Sequence, residues 1–386
     1  MNRIADFIRL VRNTAKCLPA RILSDLGLRS GQGTPIRFII EDADWAIRWV
    51  GENIRDEINR ITPDKVEVST TPVGAVNRVV HFGSQYMWLT WRRAAGGSNK
   101  YVVSFFHGKR EDGPEVSRHI DQFLETVPQL SMIVTSNSLL HKRLLSWGVP
   151  REKIVQIPIG VNTKIFTPPS QEERQVARAK LNIPKDAIVI GSFQKDGIGW
   201  GDGMEPKLIK GPDIFVETMK ELAKDLPVFA MLTGPARGYV KAGLEGAGIP
   251  YVHAYPEAHA DLVKCYHALD LYIISSREEG GPMGLMESMS THVPVVSTYV
   301  GMAPDLIEDG VSGGLDLSLS PIGLASKVRT ILAPTCDRNA MVERAHESVM
   351  SCDWEVVGRR HYEEVYLALM DEQRQKPSEK TNRISP

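Results

Sequence analysis

A chain of 386 residues is long enough for two or three domains, each with its own core. Apolar content of 42% and charged content of 24% are ordinary for a soluble globular protein, and a formal net charge of -1 supplies no bulk attraction to nucleic acid. Cys17, Cys265, Cys336 and Cys352 are scattered, with neither a CxxC pair nor metal-ligand spacing to histidine, so a reduced cytoplasm with buried thiols is the simplest reading.

No stretch is long and apolar enough to span a bilayer, and the N-terminus lacks a signal-peptide core. Ile4, Phe7, Ile8 and Val11 recur there at helical spacing, among Arg3, Arg9, Arg12, Lys16 and Arg21. Such a basic amphipathic helix can lie peripherally on an anionic membrane surface. The alternative, favoured by the interrupting Asp6, is a helix that packs its apolar stripe on its own domain. Either way the expected location is cytoplasmic, with the first reading placing the chain on the cytoplasmic membrane face.

After a turn-rich stretch from Arg29 to Pro35, Ile36–Ile40 reads as the first core strand and about Asp44 to Arg60 as a helix. Strand candidates recur at Lys65–Val68, Arg78–Phe82, Tyr101–Phe105 and Ser131–Val134, alternating with helices around Glu115–Thr126 and Ser138–Trp147. This α/β alternation predicts a doubly wound parallel sheet. The proline-containing Ile157–Pro169 reads as a linker. A second series follows at Ala187–Gly191, Val228–Leu232, Tyr251–His253, Leu271–Ile274 and Pro294–Val296. The expected organisation is a Rossmann-like domain over 1–165, a second over 166–353, a helix at about 354–370 and a polar, frayed tail over 371–386.

The most informative segment is Ser275-Ser276-Arg277-Glu278-Glu279-Gly280-Gly281-Pro282-Met283-Gly284-Leu285-Met286-Glu287. It follows the apolar run Leu271–Ile274, turns on glycines, and places Pro282 where it suits the first position of a helix. The start of that helix suits an anion such as a phosphate. Glu279 and Glu287 are separated so that one carboxylate sits in the loop and the other two turns into the helix. Gly284, one turn before Glu287, is expected to leave room for a ligand along that face.

This layout resembles the paired-glutamate motif of the retaining glycosyltransferases of family 4, which have the GT-B fold. Leu285–Thr291 followed by Val293–Thr298 is similar to that family's motif helix and next strand, and Pro158–Pro169 resembles its interdomain signature, with Ile159 and Asn162 as departures. The resemblance implies two Rossmann-like domains facing a central cleft, the first on the acceptor side and the second binding a nucleotide-sugar donor. It implies that the helix at about 354–370 crosses back to the first domain. By the same resemblance Glu287 holds the nucleotide ribose and Glu279 approaches the donor sugar, beside Gly281, Met283, Gly284 and Leu285.

The departing diphosphate needs neutralising charge, from a metal or from fixed cations and N–H dipoles. Family 4 uses an arginine after the first strand of the second domain and a lysine a few residues later. Lys210-Gly211 matches the lysine, whereas Ser192 stands at the arginine position. Lys195 is the candidate for the missing charge, Lys207 the second, with Lys207 leaning toward an ordinary surface lysine. The insertion Asp196–Glu205 is either a lid or a surface loop. His107, at the end of a predicted strand, corresponds to the family histidine near the sugar, and His253 begins the segment that flanks the nucleotide base. His81 reads as a core or edge histidine. No metal cofactor is expected, because the one tempting carboxylate pair, Asp42 and Asp44, lies in the first half. In place of a glycine-rich loop the chain has Glu41-Asp42-Ala43-Asp44-Trp45.

The implied function is retaining transfer of a hexose-type sugar from a nucleotide diphosphate sugar to an acceptor hydroxyl. Polysaccharide, lipopolysaccharide or glycoconjugate biosynthesis is the expected setting. The partners are a nucleotide-sugar donor and a carbohydrate or glycolipid acceptor. A non-catalytic nucleotide-sugar-binding subunit of a polysaccharide assembly and a GT-B sugar-nucleotide epimerase are the alternatives.

Overall fold

The computed structural model describes residues 3–25, 33–42, 46–94, 96 and 98–374. The chain folds as two compact units, one of Met1–Thr135, Leu140–Ile157 and Trp354–Pro386, the other of Ser136–Leu139 and Pro158–Asp353. The cut falls after Ile157, ahead of residue 165. Val161 and Phe166 are buried in the core of the second unit, so much of the stretch expected as a linker is packed structure.

The first unit is built on β1 (Ile36–Ile39), β2 (Val66–Ser69), β3 (Val79–Phe82), β4 (Lys100–Ser104), β5 (Met132–Thr135) and β6 (Ile154–Gln156). They form one sheet in the order β2-β1-β3-β4-β5-β6, with every pairing parallel. Parallel strands are covered on both faces, which is why the central strands β3, β4 and β5 are mostly apolar. His81 on β3 is a buried polar residue among them. It is fully buried, with Nδ1 2.7 Å from the Tyr366 hydroxyl and Nε2 2.9 Å from Ser104 Oγ. Burial first, and the neighbouring His361, push its pKa well below the usual histidine value.

The last helix belongs to this unit but is not a continuous α-helix. Trp354–Arg360 is α-helical, His361–Leu367 is π-helical, and Ala368–Arg374 resumes the α form. The helix therefore continues into the stretch expected to fray; residues 375–386 lie outside the described residues.

The second unit contains β7 (Ile188–Phe193), β8 (Val228–Thr233), β9 (Tyr251–His253), β10 (Leu271–Ile274), β11 (Val295–Thr298) and β12 (Gly314–Asp316). The order is β12-β11-β10-β7-β8-β9, again all parallel. Strand alternation splits the core: Leu271 and Ile273 of β10 join one cluster, Tyr272 and Ile274 the other. The three-residue edge strands β6 and β12 carry too little pattern to be read from sequence.

Candidate functional site

Two segments distant in sequence meet beyond the C-terminal ends of the second sheet. The loop after β10 is zipped to the turn at Lys210-Gly211: the Arg277 and Glu278 amides both reach the Ile209 carbonyl, and Arg277 grips Asp213 through two bonds of 2.8 and 2.6 Å. Gly211 turns at φ +64, and any Cβ there would collide with the Ser275 carbonyl, so the close approach requires glycine. The zipper sets Lys210 Nζ 2.6 and 2.7 Å from the two oxygens of Glu279, which also accepts from Ser276 Oγ at 2.9 Å. The Glu279 side chain is 10% exposed and that of Lys210 26%.

More positive charge gathers here. Lys207 is exposed, and desolvation by the surrounding protein, then Lys210, lower its pKa; Glu279 opposes the shift and Lys195 adds to it. Lys207 is thus a surface lysine that lies within electrostatic reach of Lys195 and Lys210. Lys195 Nζ lies 3.8 Å above the Trp200 ring of the insertion.

The insertion is anchored at several points. Lys207 N–H donates to the Asp196 carbonyl, Ile198 N–H to Glu205, and the Gly238 and Tyr239 amides to Asp202 and Gly203. At its base Asp196 pairs with Arg237 at 3.0 Å, both side chains at most 1% exposed. Arg237 also donates to the Ser192 carbonyl at 2.5 Å and its hydroxyl at 3.1 Å. A guanidinium therefore reaches the serine that replaced the family arginine. It is buried and already paired, so it braces the loop carrying Lys195 and does not itself face a ligand.

Glu287 occupies a separate nest. Its side chain is 5% exposed, and its oxygens accept from His259 Nε2 at 2.8 Å and the Tyr266 hydroxyl at 2.7 Å. Burial first, then the Glu287 carboxylate, raises the Tyr266 pKa well above its usual value, keeping it a donor. A carboxylate has more lone-pair directions than these two bonds use, so it can accept again. Sequence reading missed His259, Tyr266 and Arg237: each joins its partner only through the fold, and nothing in the local pattern marks it.

Three expectations about the motif helix need correction. The helix is Met283–Ser290, with Pro282 at its N-cap and not inside it. The space beside Gly284 is filled by protein, since a Cβ there would strike the Tyr272 ring and hydroxyl; it is not a ligand groove. Leu285 is fully buried in the core, and a Cβ on Gly281 would meet Ile159 and Met302 at 2.8 and 2.9 Å. At Leu285 only backbone groups are left for a ligand, and the bare face of Gly281 serves packing. Met283 is partly buried against the same core.

His253 is exposed at the end of β9, with Nε2 2.8 Å from the Gly234 carbonyl. His107, in the first unit, is exposed just past β4; its carbonyl accepts from Gln85 at 3.2 Å. Asp42 is described, and its carbonyl accepts from Arg48 at 3.2 Å. Asp44 lies outside the described residues. Asn162, a departure from the family signature, caps its own turn by accepting from the Lys164 and Ile165 amides at 3.1 and 3.2 Å.

Residues 202–334 match the family described as Glycosyl transferases group 1. The D-inositol 3-phosphate glycosyltransferase of Nocardioides sp. is 24% identical over 322 residues, 75% of this chain and 67% of that protein. Its counterpart in Segniliparus rotundus is 29% identical over 194 residues, 47% of this chain and 40% of the relative. Across the first four relatives the similarity spans about half to two-thirds of their own length. Anabaena HepE in complex with UDP superposes with a TM-score of 0.70 at 15% identity, covering 86% of this chain and 99% of HepE. Sucrose-phosphate synthase of Thermosynechococcus elongatus gives 0.69 at 15% identity, covering 88% and 100%. The two parallel six-stranded sheets are thus those of the GT-B fold. The match to the group 1 glycosyltransferase model covers about a third of the chain, within the second unit.

Proposed function

We propose that this protein is a retaining, metal-independent glycosyltransferase that moves a sugar from a nucleotide diphosphate sugar to an acceptor hydroxyl. The proposed setting is cytoplasmic polysaccharide, lipopolysaccharide or glycoconjugate synthesis. The observation that carries this reading is the Lys210–Glu279 pair near Lys195 and Lys207, with Glu279 on the same loop-helix segment as Glu287.

A donor diphosphate competes with Glu279 for Lys210. Once Lys210 turns to the phosphate, Glu279 is freed to accept from a sugar hydroxyl, and Glu287 accepts from the ribose. The bond from the anomeric carbon to the phosphate oxygen then breaks as the acceptor oxygen bonds to that carbon on the same face. The acceptor proton passes to the departing phosphate, and nucleoside diphosphate leaves. Fixed cations stabilise charge where it develops. His107 is proposed as a sugar-hydroxyl contact, and His253 as part of the segment flanking the base. HepE has been crystallised with UDP-glucose, which makes uridine donors the first to test.

A thermal-shift panel of nucleotide sugars tests the reading, since a ligand at a hundred times its Kd adds about 2.7 kcal/mol of stability. One donor should stabilise the protein selectively and be turned over with EDTA present. Glu287→Gln should lose about 1.5–3 kcal/mol of donor binding, and Lys210→Ala should abolish turnover. Stabilisation that survives both substitutions, or turnover that requires added magnesium or manganese, overturns the scheme.

The peripheral membrane contact is also part of the proposal. The helix Arg3–Asp25 buries Asn13, Cys17 and Ala20 and leaves Ile8, Val11, Leu18 and Ile22 exposed. Its exposed apolar stripe, between basic residues, fits an anionic lipid surface.

A further inference from the structure

The second unit has a basic cavity at the edge of its sheet opposite the candidate donor site. It measures about 470 Å³ and is lined by Arg174, Arg178, Lys185, Asp270 and Arg338, with apolar walls. Ile188, the first residue of β7, lies in its wall, and Asp270 immediately precedes β10. Lys195 follows the far end of β7. At 3.3 Å per residue, the six residues of that strand separate the two places by roughly 20 Å. Open α/β sheets take their substrates at the carboxyl edge, so a donor at Lys210 and Glu279 does not reach this cavity.

Four cations face one carboxylate here. Asp270 is fully engaged: it pairs with Arg174 at 2.5 Å and Arg178 at 3.1 Å, and it accepts from the Val189 amide at 2.7 Å. The two arginines also hold the carbonyls of His267, Ala268 and Leu269. Burial first, then Arg178 and Arg338, hold the Arg174 pKa below the usual arginine value, against the pull of Asp270. At the mouth, Lys185 and Arg338 are exposed and have no side-chain partner among the described residues. Arg338 also opens the helix Arg338–Val349, where the helix dipole is positive and a cation is unfavourable. The neighbouring Asp337 is occupied in capping that helix through the Ala340 amide. The surplus charge is left uncompensated by the protein, in a concavity large enough for a small anion.

We infer that this cavity is a second anion site, for a phosphate-bearing small molecule, remote from the donor site. Arg174 and Arg178 supply a rigid guanidinium floor already fixed by Asp270 and the three carbonyls. Lys185 and Arg338 close on the ligand from the rim, and the guanidinium fork of Arg338 suits a phosphate.

The experiment is calorimetric titration of the whole protein with inorganic pyrophosphate at fixed ionic strength. Inorganic phosphate and a nucleoside monophosphate form parallel arms that name the source of the phosphate group. Wild-type protein should bind pyrophosphate at two places. Lys185→Glu with Arg338→Glu should weaken one of them at least tenfold and leave UDP binding unchanged, while Lys210→Ala should weaken the other. Circular dichroism and UDP binding verify that the double variant is folded. A titration unchanged by the rim substitutions, or one lost entirely in Lys210→Ala, overturns the inference. An equal binding heat on titration with sodium chloride to matched ionic strength does the same.

Discussion

Gly284 separates two readings of one residue. From sequence it looks like a gap left for a ligand; in the structure Tyr272 fills the gap. Tyr272 is 3% exposed and its hydroxyl is fixed between the Phe193 amide at 3.1 Å and carbonyl at 3.2 Å, so it has little freedom to yield. Gly284→Ala should therefore destabilise the protein by about 1–3 kcal/mol through overpacking. Tyr272→Phe in the same chain should restore part of that loss, because the hydroxyl is the atom a new methyl meets first. Denaturant midpoints for the two single variants and the double variant measure the coupling. Normal stability with weakened donor binding in Gly284→Ala would instead restore the ligand-groove reading. The general lesson at this scale concerns range. Glu279 and Glu287 were picked out by a local strand, turn and helix pattern and Lys210 by its resemblance to a family lysine-glycine pair, all short-range signals. Their partners were not: Lys210 and Glu279 are 69 residues apart, and Arg237 meets Ser192 across 45.

At the scale of the element, the helix Arg3–Asp25 shows how periodicity can be right and its direction wrong. A helix with an apolar stripe was legible, and packing of that stripe inward was the favoured reading. The structure turns the other face inward: Asn13 Nδ2 donates to the Thr90 carbonyl at 3.4 Å, with Cys17 and Ala20 buried nearby. Small residues allow that close packing, while Ile8 at 60% and Val11 at 52% exposure point away. Arg12 and Lys16 are exposed beside the stripe. Flotation with anionic vesicles should recover the wild-type protein, and recovery should fall in high salt or with zwitterionic lipid. Val11→Asp with Leu18→Asp should leave it unbound without changing donor affinity. If these substitutions convert a dimer to a monomer and vesicle binding is absent, the stripe is a self-association surface and the membrane proposal fails. The terminal helix was legible in its start but not in its end or its winding. Its π-helical turn places both His361 and Tyr366 against His81, a geometry that depends on the sheet beneath it.

For the whole molecule, buried histidines set the response to acid. His361 is buried, and burial first, with Arg360, holds its pKa down at about 4 despite a bond to the Val357 carbonyl and the nearby Glu364. His119, stacked on Tyr86, is likewise lowered to about 4 by burial first and then His107. His81 is shifted in the same direction. All three belong to the first unit. Each binds a proton more readily unfolded than folded, so their contribution is fully present above the unfolded value near 6.5. It is lost as pH falls from there toward about 4. One pKa unit is worth about 1.4 kcal/mol, so His361 alone withdraws on the order of 3 kcal/mol by the bottom of that window. Paired carboxylates respond lower: Asp213, held down by Arg277, loses its contribution only below its unfolded value of about 3.9. The interval from pH 6.5 to 5 therefore isolates the histidines. Unfolding free energy measured across it should fall with acid in the wild-type protein. The slope should flatten in His361→Gln and flatten further with His81→Gln added, even though both variants start from lower stability at pH 7.5. An undiminished slope in the double variant would show that acid acts elsewhere and that the buried histidines are not the proton-linked groups.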